Sequence, residues 1–265
     1  MIPYPRISPV IFKAGPFAVR WYGVMYILGF VTSYLLFQYQ VRKKHMKGIT
    51  AEVVENLYFW LIVSLVLGAR VGYVIFYNLP YYVQNPLRVF AVWQGGMSFH
   101  GGLAGLVIGG VLFCRKYKLD FWKIADLVVA TVPPGLGFGR IGNFINGELY
   151  GRPSNLPWAM IFPRGGDVPR HPSQLYEFLL EGVVLFIIMW TLKDRVKKSG
   201  VLLAAFLVFY GVFRFGVEFL REPDPQLGFI IGPFTMGQIL SSVMIVAGVG
   251  LFLWRKRQKQ EPETS

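Results

Sequence analysis

Residues 53–77 read VVENLYFWLIVSLVLGARVGYVIFY, and no charged side chain interrupts them between Glu55 and Arg70. A helix needs about 20 mainly apolar residues to cross the hydrocarbon layer of a membrane, and this run supplies them. Similar runs recur on both sides. The sequence therefore predicts seven spans: Val19 to Tyr39, Val53 to Tyr77, Met97 to Cys114, Phe121 to Phe138, Leu175 to Leu192, Val201 to Leu220 and Thr235 to Trp254. Composition agrees, because 265 residues that are 54% hydrophobic and only 15% charged, with mean hydropathy +0.47, describe apolar surface spread over many helices.

Lysine and arginine near span ends favour the cytoplasm, so their positions orient the chain. Arg42, Lys43, Lys44 and Lys47 follow the first span, and Arg115, Lys116 and Lys118 the third. Lys193, Arg195, Lys197 and Lys198 follow the fifth, and Arg255, Lys256, Arg257 and Lys259 the seventh. Every odd span thus ends inside, which gives an all-α polytopic protein with its N-terminus outside and its C-terminus in the cytoplasm. The expected organisation is one transmembrane domain over 1–265, with an outer arm at 1–18, an outer loop at 139–173 and a basic cytoplasmic tail at 255–265. The first span lacks a small-residue cleavage site and reads as retained, not as a signal peptide. Of the outer connections, Asn78 to Gly96 and Arg221 to Phe234 carry one arginine each, Arg88 and Arg221. Gly139 to Ser173 breaks the pattern with Arg140, Arg152, Arg164 and Arg170, charges that call for a specific holder such as an anionic ligand.

The net charge of +13 sits in short clusters between apolar runs, and not on a basic face, so nucleic acid is not an expected partner. Cys114 is the sole cysteine, which excludes an internal disulfide and a cysteine-rich metal site. Gly68/Gly72 and Gly101/Gly105/Gly109 have the spacing at which small residues let helices approach, a packing signal.

Ionisable residues inside spans are expensive and therefore mark function by default. They include Arg70, His100, Asp126, Glu177, Glu181, Arg214 and Glu218. Arg214 and Glu218 share a helical face that Arg221 continues, and Glu177 and Glu181 repeat the four-residue spacing. Two readings stay open: a structural ion-pair network, or a site. The stretch Gly139-Arg140-Ile141-Gly142-Asn143-Phe144-Ile145-Asn146-Gly147-Glu148 favours a site, since arginine holds phosphate bidentately, asparagines orient hydroxyls and glycines admit a ligand close to the backbone. Gly137, Gly139 and Gly142 also fit G-x-G-x-x-G, but no strand precedes them and dinucleotide binding is rejected. His45 lies in a basic cytoplasmic loop. His100 and His171 lie at outer span ends, where His100 suits either a base near neutral pH or a packing role. No metal-ligand spacing is present, and neither metal nor cofactor is expected.

The 139–148 stretch, with Gly151 following, resembles the signature of prolipoprotein diacylglyceryl transferases. Trp21-Tyr22-Gly23, Gly96-Met97-Ser98-Phe99-His100-Gly101-Gly102, His171-Pro172-Ser173-Gln174-Leu175-Tyr176-Glu177 and Arg214 to Asp224 extend the resemblance over the chain in order. The family implies an enzyme of the bacterial plasma membrane, its site toward the outer, periplasmic side. It moves the diacylglyceryl group of phosphatidylglycerol onto the lipobox cysteine of a prolipoprotein signal peptide, forming a thioether and releasing glycerol phosphate. On that resemblance Arg140 and Arg214 are the expected phosphate clamp and His100 the candidate base. Asn143, Asn146 and Glu148 are expected to orient the glycerol head, with Gly151, Tyr22, Arg70, Tyr210, Glu177, Glu218 and Arg221 completing substrate binding. The chain is short between Trp158 and His171 where some relatives carry an outer insertion. A transporter, with Arg214, Glu218 and Glu181 lining an ion path, and a lipid-binding scaffold without turnover are the competing classes.

Overall fold

In the computed structural model, residues 2–5, 7–15, 17–44, 46, 48–223 and 228–258 are described. His45, Lys47, Asp224 and Lys259 lie outside them. In chain order the elements are hairpin β1 (Val10–Ala14) and β2 (Phe17–Arg20), then α1 (Trp21–Lys43), α2 (Ala51–Tyr77), α3 (Leu79–Gln84) and α4 (Phe99–Tyr117). Next come α5 (Phe121–Val129), α6 (Val132–Ile145) and α7 (Ser173–Glu177), which continues through a π-helical stretch, Phe178–Val184, into α8 (Leu185–Leu192). The chain then forms α9 (Val201–Val217), the short strands β3 (Phe229–Ile231) and β4 (Phe234–Thr235), and α10 (Met236–Arg257).

The fold is mostly helical, as read from the sequence. Among the described residues four helical segments are long and apolar enough to cross a membrane: Trp21–Lys43, Ala51–Tyr77, Ser173–Leu192 and Met236–Arg257. A fifth becomes available if α5 and α6, bent by 43° at their junction, count as one span. The expected spans at Met97 to Cys114 and Val201 to Leu220 correspond to α4 and α9, neither of which is among the four. The expected end of the fourth span at Phe138 also moves, since α6 runs on to Ile145 and makes Arg140 and Asn143 helical.

Helix starts follow the local chemistry of capping. Thr50 accepts from the Val53 amide at 3.3 Å, Ser98 from Gly101 at 3.2 Å, and Thr235 and Gln238 cap each other reciprocally at the start of α10. The start of α9 is capped from afar: the Asp126 carboxylate accepts from the Gly200 and Leu203 amides, both at 2.7 Å. This gives Asp126, one of the ionisable residues of the expected spans, a structural role, because the first amides of a helix have no partner within it.

Two compact units result, one from 1–37 and 126–265, the other from 38–125. Within the second, α2 packs on α4 through glycines: a Cβ on Gly72 would lie 2.7 Å from the Gly101 Cα, and one on Gly68 would lie 2.7 Å from that of Gly105. The packing role expected for these glycines is thus met. In the first unit a Cβ on Gly29 of α1 would stand 3.0 Å from the Gly135 Cα of α6, and Val129, Ala130, Leu185, Met189 and Leu202 form a core.

Candidate functional site

The first unit gathers three arginines and three carboxylates from α6, α7, the π-helical stretch and the end of α9. Arg140 Nε lies 2.6 Å from Glu177 Oε2, and its Nη2 3.4 Å from Glu181 Oε2. Arg214 Nη1 lies 3.0 Å from Glu177 Oε1 and 3.9 Å from Glu181 Oε1, and its other amine pairs with Glu218. Arg221 Nη1 donates to Glu218 Oε1 at 3.2 Å, and Thr235 donates to the second Glu218 oxygen at 2.8 Å. Glu177, Glu181 and Glu218 are 1%, 0% and 3% exposed. Formal charges cancel within the cluster, which is how buried charges persist.

Packing explains why the charges meet. Gly137 of α6 touches Gly182 of the π-helical stretch backbone to backbone, one turn before Arg140 and one residue after Glu181. The wide π turn is frequent at functional sites, and here it carries Glu181. The glycines of the rejected nucleotide pattern now have separate explanations. Gly137 serves this contact, and Gly142 admits the Tyr22 ring, whose Cδ2 would be 2.9 Å from a Cβ there. Gly139 meets nothing within 4 Å, so the backbone beside Arg140 is open.

The cluster is not saturated. Both Glu177 oxygens and Glu181 Oε1 are buried without a hydrogen bond of ordinary geometry, although cations lie close. The Arg140 side chain is 19% exposed, and its contacts to Glu177 and Glu181 use Nε and Nη2, leaving Nη1 for a ligand. Such a cation at an open edge, backed by buried carboxylates, can receive an anion and hold it in an oriented way.

The C-terminal end of α6 forms a second polar group. Asn143 and Asn146 each donate to Glu148 Oε1 at 3.0 Å. The Ser173 hydroxyl holds the Leu149 carbonyl at 2.9 Å and the Gln174 amide the Glu148 carbonyl at 2.6 Å. The His-Pro-Ser-Gln-Leu-Tyr-Glu segment thus fastens the turn after α6 with two side chains and supplies Glu177 to Arg140 with a third. Leu149 adopts φ +58°, a left-handed conformation rare outside glycine, at this fastened point. His171 Nδ1 lies 3.1 Å from the Tyr176 hydroxyl, to which the Trp158 indole donates at 2.8 Å, and burial lowers the His171 pKa.

The remaining expected residues are placed as follows. Tyr22 hydrogen-bonds Tyr26 at 3.0 Å, with its ring against Gly142. Tyr210 stands one turn before Arg214, stacked on Phe206 with centroids 5.8 Å apart. Gly151 lies between His171 and Leu220, where a Cβ would be 2.6 Å from that of His171, so its demand is packing. Arg70 and His100 belong to the other unit. Arg70 donates to the carbonyls of Val89, Gly95, Gly96, Arg88 and Ala91 at 2.6 to 3.3 Å, which commits all five guanidinium N–H groups to the 85–96 loop. The expected substrate contact is here a loop anchor. His100 is exposed at the start of α4 with its ring edge-on to Phe99. Of the arginines in 139–173, Arg152 donates to the Arg221 carbonyl and Arg170 pairs with Glu222 at 3.0 Å, so the protein itself holds two charges for which an anionic ligand was one expected holder.

Sequence reasoning missed Thr235, Ser173 and Gln174 as supports of the site. Thr-x-x-Gln at 235–238 is a legible capping box. Ser173 and Gln174 entered only as members of the His171–Glu177 motif, because their partners are carbonyls more than 20 residues away.

The family model described as prolipoprotein diacylglyceryl transferase matches residues 9–254. A phosphatidylglycerol–prolipoprotein diacylglyceryl transferase of Desulfotalea psychrophila is 52% identical over 97% of this chain and 96% of its own length. Proteins of the same name from Geobacter sulfurreducens and Bordetella avium are 50% and 48% identical, over 98% and 99% of this chain and 99% and 100% of their own lengths.

Proposed function

The chain belongs to the prolipoprotein diacylglyceryl transferase family, and from that membership we propose that it transfers the diacylglyceryl group of phosphatidylglycerol to the thiol of a prolipoprotein's lipobox cysteine. A thioether forms and glycerol phosphate is released, the first step of lipoprotein maturation. The observation that carries the reading is Arg140: a cation at an open helix edge, backed by the buried carboxylates Glu177 and Glu181.

The chemistry needs a thiolate and a stabilised leaving group. The acceptor thiol is only a few per cent ionised near neutral pH. As its proton leaves, sulfur attacks the glycerol carbon, the C–S bond forms, the C–O bond to phosphate breaks, and the electron pair departs with glycerol phosphate. Arg140 and Arg214 stabilise the charge on that phosphate. Asn143, Asn146 and Glu148 orient the glycerol head. Glu177, Glu218 and Arg221 hold the two arginines in place, and Tyr22 and Tyr210 line the approach. His100 is the candidate base on its chemistry. Gly151 shapes backbone beside His171 and Leu220, and Arg70 anchors the 85–96 loop.

The same reading takes the chain as a seven-span protein of the bacterial inner membrane, N-terminus outside, C-terminus inside and site toward the periplasm, supported by the charge pattern of its loops. The decisive experiment incubates the purified protein in detergent with phosphatidylglycerol and a lipobox peptide, comparing cysteine with serine, and follows peptide mass and glycerol phosphate. A diacylglyceryl mass gain on the cysteine peptide alone, matched by glycerol phosphate, is expected. No gain in a folded sample that binds the lipid overturns the transferase in favour of a scaffold.

A further inference from the structure

Tyr4 lies in the outer arm, about 140 residues before the helix it touches. Its hydroxyl donates to the Phe144 carbonyl at 2.6 Å and reaches that of Ile145 at 3.2 Å. These carbonyls belong to the last turn of α6, whose final carbonyls have no amide partner within the helix. The Phe144 carbonyl already holds the Gly147 amide at 2.9 Å, so the phenol closes the turn from outside. Its ring packs on Phe144 and Phe162, with centroids 5.3 and 5.1 Å away, in the cluster formed with Met160, Tyr150 and Leu175. The Ile2 amide adds a bond to the Ala159 carbonyl at 3.3 Å, which ties the arm down a second time.

That same turn sets the head-group residues. Asn143 and Asn146 sit at the end of α6, and the chain must reverse at Gly147, φ +63°, to bring Glu148 back to both amides. A Cβ on Gly147 would be 3.4 Å from the Tyr4 oxygen, an ordinary contact distance, so the phenol lies beside the reversal without crowding it. Burial raises the Tyr4 pKa and keeps the hydroxyl a donor.

We propose that Tyr4 is a positioning residue for the donor lipid, acting through the turn that presents Asn143, Asn146 and Glu148. The inference rests on the head-group role given to those three residues. Tyr4→Phe removes the hydroxyl and keeps the ring. Its KM for phosphatidylglycerol rises about five-fold with kcat unchanged and only a small fall in melting temperature, the effect of losing one hydrogen bond that orders a binding group. Introduced together with Glu148→Gln, it adds little further loss, because both act through one turn. Tyr4→Ala, which also removes the ring, lowers the melting temperature further.

The measurement is steady-state transfer to a lipobox peptide at varied phosphatidylglycerol, with thermal unfolding of each variant in the same detergent. A KM for Tyr4→Phe equal to the parent's, or a loss undiminished in the Glu148→Gln background, overturns the positioning role. If Glu148→Gln alone leaves KM unchanged while Tyr4→Phe raises it, the head-group reading of Glu148 fails and this inference fails with it. Transfer absent from the parent protein removes the ground for both.

Discussion

Gly137 and Gly182 meet so closely that a Cβ on Gly182 would lie 2.8 Å from the Gly137 Cα. The contact joins α6 to the π-helical stretch and places Arg140 beside Glu177 and Glu181. Gly182→Ala must therefore push two backbones apart. We expect a loss of about 2 kcal/mol in stability, the usual size of an overpacking penalty, with a larger proportional fall in transfer, read from thermal unfolding and kcat/KM on one preparation. An alanine variant with unchanged activity would detach the glycine contact from the site.

Arg140→Lys keeps a charge but loses the planar fork that bonds Glu177 and Glu181 while leaving an amine for phosphate. We expect kcat to fall by about 100-fold, in the range found when a donor to a transition-state oxyanion is removed, in a protein that still folds cooperatively at a lower melting temperature, since two buried carboxylates lose part of their pairing. Retained transfer in this variant would end the phosphate-clamp role.

Arg70 makes the opposite prediction. Its five donors hold carbonyls of the 85–96 loop, and leaving such acceptors unsatisfied costs about 1–3 kcal/mol per buried group. Arg70→Lys is expected to lower the melting temperature and open that loop to protease, while KM for phosphatidylglycerol stays near the parent's in molecules that remain folded. A selective KM defect in a stable variant would return Arg70 to the lipid site.

His171 gives a pH signature. Burial holds its folded-state pKa below the ordinary value of about 6.5, so between the two values the unfolded chain binds more protons than the folded one. Its contribution to stability is full above about pH 6.5 and is lost as pH falls through the lowered pKa. Melting temperature against pH should slope down on the acid side, and His171→Asn should flatten that slope relative to the parent. An identical slope in both proteins would show that other groups govern it.

Thr235 links two supports, capping α10 and donating to Glu218 at 2.8 Å. Thr235→Val keeps the shape and removes both bonds. A destabilisation of about 2 kcal/mol is expected from the lost cap and the buried carboxylate left short of a donor, together with reduced kcat/KM as Glu218 shifts against Arg214. Thermal unfolding and transfer kinetics on the same sample check both.

The helical character of the chain and its apolar runs were legible because hydropathy is a sum over neighbours, readable in Ala51–Tyr77 or Met236–Arg257 without knowing the partner. The Arg-Glu residues of the cluster were legible as a group for a related reason: charge inside an apolar run is rare enough to stand out. Their pairing was not legible. Glu177 and Glu181 look alike in sequence, yet one lies 2.6 Å from Arg140 and the other 3.4 Å. Arg70 and Arg140 look alike too, and nothing local says that one is surrounded by carbonyls and the other by carboxylates and open space.

Sequence by itself determined that this chain is a helical, apolar, strongly basic protein carrying the family's signature, since those properties belong to single residues and short runs. Tertiary structure alone decided which donor meets which acceptor: Asp126 with the start of α9, Tyr4 with the end of α6, Asn143 and Asn146 with Glu148. Hydrogen bonds and ion pairs act over a few ångströms, so their partners are set by how helices far apart in the chain are packed, and not by the residues beside them.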